Sequence, residues 1–280
     1  MKKRTWLTLL LMAVCVLVLV AYRIVDGMVT DTKAPKITID EDVLEVSVHD
    51  PEKVLLQGVD AWDDKDKDVS DEIIIESIGG ITDEGQVTVT YAAFDRSGNV
   101  AKKSRQVRYT DYIPPRFTLN APLAFAQGSN FDVMNHIGAV DQLDGDITHR
   151  VKVTSLSEES ISAAGTYDIR LQVTNSLGDT QVLQLQTEIY PAGTYNAELK
   201  LTEYLVYLPV GAEFDEEDYL DTFAYGGQTA NLSQGVYGSG RLAVSGKVDP
   251  QTPGVYTVSY TVSWGQSYTG YSKLVVVVEG

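Results

Sequence analysis

Apolar residues follow two different patterns along this chain. From Trp6 to Ala21 they run almost without interruption, after Lys2, Lys3 and Arg4 and before Arg23. That length is at the lower edge of what crosses the roughly 30 Å hydrocarbon core as a helix. The cationic flank puts the short N-terminus in the cytoplasm and everything after the helix outside. The expected organisation starts with a cytoplasmic tip and transmembrane anchor over 1–26 and a linker over 27–33. A cleaved signal peptide is the rival reading. It needs a shorter apolar region and a small-residue cleavage site, for which Leu19–Tyr22 and Val25–Gly27 are poor. Cys15 follows Val14 and precedes more apolar residues, so it reads as a small hydrophobe rather than a lipid-modified cysteine.

Beyond the linker the period changes to two. Val87, Val89, Tyr91 and Ala93 alternate with Gln86, Thr88 and Thr90; Tyr167, Ile169, Leu171 and Val173 with Asp168, Arg170 and Gln172; and Tyr256, Val258, Tyr260 and Val262 with Thr257, Ser259 and Thr261. Such alternation buries one face of an antiparallel strand and leaves the other wet. Glycine precedes each strand, at Gly85, Gly165 and Gly254. Hairpin signals follow the first two, in Asp95-Arg96-Ser97-Gly98-Asn99 and Asn175-Ser176-Leu177-Gly178-Asp179. Return strands are expected near Ser104–Tyr109, Gln181–Ile189 and Lys273–Glu279.

These blocks are internal repeats. Pro35-Lys36-Ile37-Thr38-Ile39 matches Pro115-Arg116-Phe117-Thr118-Leu119. Ala61, Asp63, Asp66, Asp68, Val69 and Ser70 match Ala139, Asp141, Asp144, Asp146, Ile147 and Thr148. A period of about 80 residues, many short strands and no convincing amphipathic helix predict an all-β chain of three tandem sandwiches. The expected domains span 34–110, 114–190 and a divergent 194–280, joined by short proline-containing links that hold neighbours semi-rigidly.

The segment Ala139-Val140-Asp141-Gln142-Leu143-Asp144-Gly145-Asp146-Ile147-Thr148, followed by Gly165-Thr166-Tyr167-Asp168-Ile169, resembles bacterial Ig-like repeats of the pesticidal-crystal-protein type. The first repeat departs from that pattern with Lys67 in place of the glycine. The third keeps only the closing strands from Pro253-Gly254-Val255-Tyr256 onward. The resemblance implies Ig-like sandwiches at a bacterial cell surface, and it implies no reaction.

Charge narrows the partners. The chain carries 22 Lys and Arg against 39 Asp and Glu, a net of −17. Nucleic acid needs a basic face and is excluded as a partner. One cysteine leaves no disulfide framework, and His49, His136 and His149 lack ligand spacing. No catalytic motif is present, so no catalytic residue is assigned and no enzyme is expected.

Two candidate sites remain. The acidic loops hold Asp63, Asp66 and Asp68 in the first repeat and Asp141, Asp144 and Asp146 in the second. Calcium takes six to eight oxygens, and such loops could supply them. Asp64, Asp66 and Asp68 have the opening spacing of an EF-hand, but Val69 and Ile75 occupy its glycine and bidentate-glutamate positions. The alternative is that these aspartates cap turns by accepting backbone N–H bonds. The second candidate is a concentration of tyrosine: ten of sixteen lie beyond residue 194. Tyr225, Tyr237, Trp264 and Tyr268 sit beside loops rich in small polar residues, the composition of adaptable recognition surfaces. The expected protein is therefore a single-pass membrane-anchored adhesion or scaffold protein. Two stalk domains would present a tyrosine-rich third to a surface glycan or protein. A spacer or envelope-assembly subunit without a ligand of its own is the alternative.

Overall fold

The computed structural model describes residues 2–29, 31–82, 84–156, 163–236 and 238–280. It begins with an α-helix over Lys2–Val29, so helical structure runs through residues expected to start the linker. The segment Thr5–Val25 has a mean hydropathy of 2.6 and is long and apolar enough to cross a membrane. Its large side chains, including Trp6, Leu11 and Leu17, are exposed.

Three Ig-like β-sandwiches follow in sequence, each a three-stranded sheet facing a four-stranded one. In the first, strands Lys36–Ile39, Val59–Asp63 and Lys67–Asp68 form the small sheet. Val43–Val46, Val100–Tyr109, Gln86–Phe94 and Ile73–Ile78, in that order, form the large one. The second repeats this plan over Arg116–Tyr190 and the third over Glu198–Glu279. In each, the central hairpin is antiparallel, and the short opening strand of the large sheet pairs in parallel with the last. The alternation read from sequence is realised. Val87, Val89, Tyr91 and Ala93 are all at most 1% exposed, and Tyr167, Ile169, Leu171 and Val173 line the second core.

A one-turn 3-10 helix leads into the second strand of each small sheet, at Glu52–Leu56, Val133–His136 and Glu216–Tyr219. Tyrosine hydroxyls from the central strands tie down two of these turns. Tyr91 donates to the Leu55 carbonyl at 2.6 Å and Tyr260 to the Glu216 carbonyl at 2.8 Å. A buried hydroxyl needs such a partner.

The chain divides into two compact units, Met1–Tyr112 and Ile113–Gly280. Within the second unit the last two sandwiches share packing. Val275, and beside it Leu205 and Val277, belong to the last sandwich but pack into the core of the one before. Arg116 forms a bidentate pair with Glu279 and lies over the Tyr207 ring, 4.9 Å from its centroid. The Phe117 N–H donates to the Tyr207 hydroxyl at 2.9 Å. Burial pushes the Tyr207 hydroxyl up to about 12.

Candidate functional site

A cleft of about 1000 Å³ lies between the two sandwiches of the second unit. Its aromatic wall comes from three places. Tyr190 ends the strand Thr180–Tyr190, Tyr195 lies in the short connection after it, and Tyr271 is on the strand Tyr268–Glu279. Tyr195 stacks on Tyr271 with centroids 5.0 Å apart and planes at 8°. Tyr190 meets Tyr195 edge-on at 4.8 Å. Stacked and edge-on geometries are those favoured by the ring quadrupoles.

The Tyr271 hydroxyl is anchored in a polar cluster outside the cleft lining. Tyr271 donates to Glu188 Oε2 at 2.5 Å, and its hydroxyl is 3.0 Å from Ser259 Oγ. Burial first, and then the Glu188 carboxylate, raise the Tyr271 hydroxyl above its ordinary range. Lys273, 5% exposed, lies 3.5 Å from the same carboxylate and donates to the Gln186 carbonyl. Burial lowers its ammonium pKa and Glu188 opposes that shift. Asn196, Glu198, Lys200 and Gln228 rim the cleft with exposed amides and charges.

Of Tyr225, Trp264 and Tyr268, the described members of the set expected from sequence, only Tyr225 reaches this cleft. Tyr237 lies outside the described residues. Trp264 and Tyr268 face each other across their hairpin. They join Tyr225, each with ring centroids 5.3 Å from it, in a half-buried cluster against the third core. A methyl group added to Gly226 would come within 2.5 Å of the Tyr268 hydroxyl, and one on Gly240 within 2.6 Å of the Trp264 ring. These two aromatics close the end of their own sandwich. The signal for the cleft was Tyr190-Pro-Ala-Gly-Thr-Tyr195: two tyrosines bracketing the link between sandwiches, where surfaces of both must meet.

Most of the acidic-loop residues have protein partners. Asp66 Oδ2 accepts from the Arg96 N–H, Asp68 from Ser70 and Asp146 from Thr148. Asp144 takes the Ser176 N–H and hydroxyl and pairs with Arg150. Hydrogen bonds from Ser70 and Thr148 hold the Asp68 and Asp146 carboxyls below the usual range. Burial pushes Asp144 up, but the Ser176 and Arg150 bonds outweigh it and the net direction is down. Turn capping is thus the observed role of these four.

Asp63 belongs to a different set. One carboxylate oxygen each from Asp31, Asp63 and Asp95 lies within 4.8 Å of the other two. The three residues are 9%, 2% and 7% exposed. Asp63 Oδ1 accepts the Lys65 and Asp66 N–H groups, at 2.7 and 2.9 Å. Those bonds, Asp66's first, lower its pKa. Burial raises Asp95, but the Asn99 amide and backbone N–H, at 2.7 and 2.8 Å, outweigh it and the net direction is down. Asp31 entered no reading of the sequence because it stands alone in a short link.

No protein-family model matches the chain, and no curated protein matches it. Among solved structures, it is similar to the CBM51-2 domain in complex with GlcNAc and INT domains from Clostridium perfringens ZmpB. The identity is 15%, the match covers 87% of this chain and 41% of that one, and the TM-score is 0.23. A second structure from the same protein, its M60 catalytic domain with CBM51-1 and CBM51-2, is 11% identical with a TM-score of 0.22; 87% of this chain and 30% of that one are covered. The chain therefore spans less than half the length of these two structures. Drosophila N-cadherin EC1-3 matches at 13% identity over 89% of this chain and 90% of that one, with a TM-score of 0.29. Nothing about function follows from likenesses this slight.

Proposed function

We propose that this is a non-catalytic, single-pass membrane-anchored adhesion or scaffold protein of the cell surface, its three sandwiches outside the membrane. It engages a glycan or protein ligand through the cleft walled by Tyr190, Tyr195, Tyr271 and Tyr225. The observation that carries this reading is the cleft itself: stacked tyrosines beside amides and charges. Binding sites combine a few aromatic faces with a small number of placed polar groups in this way. The lysine and arginine residues before the apolar helix support a cytoplasmic N-terminus.

The test uses the full chain in detergent micelles against immobilised wall polymer, surface polysaccharide and matrix proteins. Retention of the wild type, and its loss in Tyr195→Ala and Lys200→Ala variants of unchanged Tm, supports the reading. No retention of the wild type, or equal retention of all three proteins, overturns it. In that case the spacer reading leads, and the pairing of Arg116 with Glu279 across two sandwiches is the observation that favours it.

A further inference from the structure

We infer that Asp31, Asp63 and Asp95 form a divalent-cation site of the calcium class, which fastens the segment after the N-terminal helix to the first sandwich. The site is separate from the cleft and does not depend on its ligand.

Two observations carry this. Asp31 is nine-tenths buried, and its Oδ2 is fully shielded with no hydrogen-bond partner, although Oδ1 accepts the Lys33 N–H at 3.1 Å. A buried carboxylate oxygen without a donor is costly and calls for a cation. The second is an internal comparison. Asp63 and Asp95 correspond to Asp141 and Asn175 in the second repeat. The two hairpin turns are built alike: Gly98 N–H bonds the Asp95 carbonyl, and Gly178 N–H the Asn175 carbonyl, both at 3.2 Å. In the second sandwich the Asn175 amide donates to Asp141 Oδ2 at 3.2 Å, so the pair is complete. In the first sandwich a carboxylate replaces that amide, and Asp31 adds a third. Three hard anionic oxygens then converge where the second repeat needs only one N–H.

The size fits. Calcium binds oxygen at about 2.3–2.6 Å, so oxygens across its coordination sphere stand about 4.6–5.2 Å apart. All three carboxylate atoms fall within 4.8 Å of one another. Two cationic side chains next to these aspartates in sequence serve neighbouring acids, Lys33 pairing with Asp64 and Arg96 with Asp66; the Lys65 charge acts on Asp63 as a smaller influence than its backbone hydrogen bonds. The Asn99 amide also donates to the Asp31 carbonyl at 3.2 Å, so the linking segment already rests against the turn that presents Asp95.

The experiment titrates CaCl2 into the EDTA-treated full chain in micelles, by calorimetry, and follows Tm in parallel. The expected result is one tight site per chain and a rise of about 5 °C in Tm. Asp95→Asn installs the pairing found in the second sandwich. It should fold in EDTA with a Tm no lower than the wild type, bind calcium at least about tenfold more weakly and lose the rise. Asp31→Asn reads the same loss if Asp95→Asn fails to fold. Asp146→Asn, in the other acidic loop, should leave binding unchanged. Absence of a calcium effect on the wild type, undiminished binding by Asp95→Asn and Asp31→Asn, or an equal loss in Asp146→Asn overturns the proposal.

Discussion

Arg105 turns its guanidinium into the core of the first sandwich, where Nε donates to the Tyr91 hydroxyl at 2.8 Å. Its Nη2 reaches the same Leu55 carbonyl that accepts from Tyr91, at 2.6 Å. Arg105 is 5% exposed and Tyr91 fully buried. The register places Arg105 opposite Val89, as Leu185 lies opposite Ile169 in the second sandwich. One repeat thus holds a closed polar network where the other is apolar. Tyr91→Phe should cost about 1–3 kcal/mol by leaving the guanidinium short of an acceptor. Combined with Arg105→Leu it should cost less than the two changes added, with a coupling of about 1–3 kcal/mol in a urea double-mutant cycle.

Glu188 is the counter-charge for buried Lys273. Glu188→Gln should destabilise the second unit by about 2–3 kcal/mol, because breaking a buried pair leaves an uncompensated ion. Lys273→Met in that background should recover most of the loss, read as the urea midpoint of the unfolding transition. Equal stability of Glu188→Gln and wild type would refute this account of the pair.

Alkali should unfold the second unit. The Tyr207 pKa is pushed up to about 12 by burial, and Tyr260 and Tyr271 are raised for the same principal reason. A folded pKa above the unfolded one contributes stability below the unfolded value, near pH 10, that fades as pH climbs through the folded one. For Tyr207 that is at most about 3 kcal/mol. Lys273, lowered by burial, acts in the opposite sense and offsets part of the loss. Stability should therefore fall from pH 10 to 12, and Tyr207→Phe should flatten the slope.

Lys67 has φ +70°, matching Gly145 at +71° in the corresponding turn. This is the left-handed conformation, which disfavours a side chain by about 1 kcal/mol. Lys67→Gly should raise stability by at most about 0.5 kcal/mol, because glycine's unfolded-state entropy and the lost bond from Lys67 Nζ to the Asp64 carbonyl offset most of the relief. Gly145→Lys should lose a similar amount. Its Cβ would meet nothing within 4 Å, so only the backbone is charged with the effect.

Sequence pattern carried the sandwiches because one face of each central strand is wet. It fell short on two return strands: one expected from Ser104 starts at Val100, and the last, expected from Lys273, starts at Tyr268. There the residues from Ser272 to Val276 are buried in unbroken succession. Leu274, Val276 and Val278 face their own core while Val275 and Val277 face the preceding one. A strand covered on both sides loses its alternation. The cleft beyond its Tyr190 and Tyr195 pair, and the three-aspartate cluster, were hidden for another reason: each joins side chains from separate segments, and spacing along the chain does not report such meetings. Asp63 was legible as an acidic turn residue; its partners Asp31 and Asp95 were not.

The parallel pairing of Val43–Val46 with Val100–Tyr109 recurs as Ala124–Ala126 with Thr180–Tyr190 and Leu205–Pro209 with Tyr268–Glu279. Once the short first strand of a sandwich has been pulled away, the parallel pairing is loaded from opposite ends of one hydrogen-bonded ladder. Tension along the chain then slides these strands past each other and loads their evenly spaced bonds together. It does not peel them apart one at a time. Each sandwich is a shear clamp, and a chain held at one end and pulled at the other would resist through three of them.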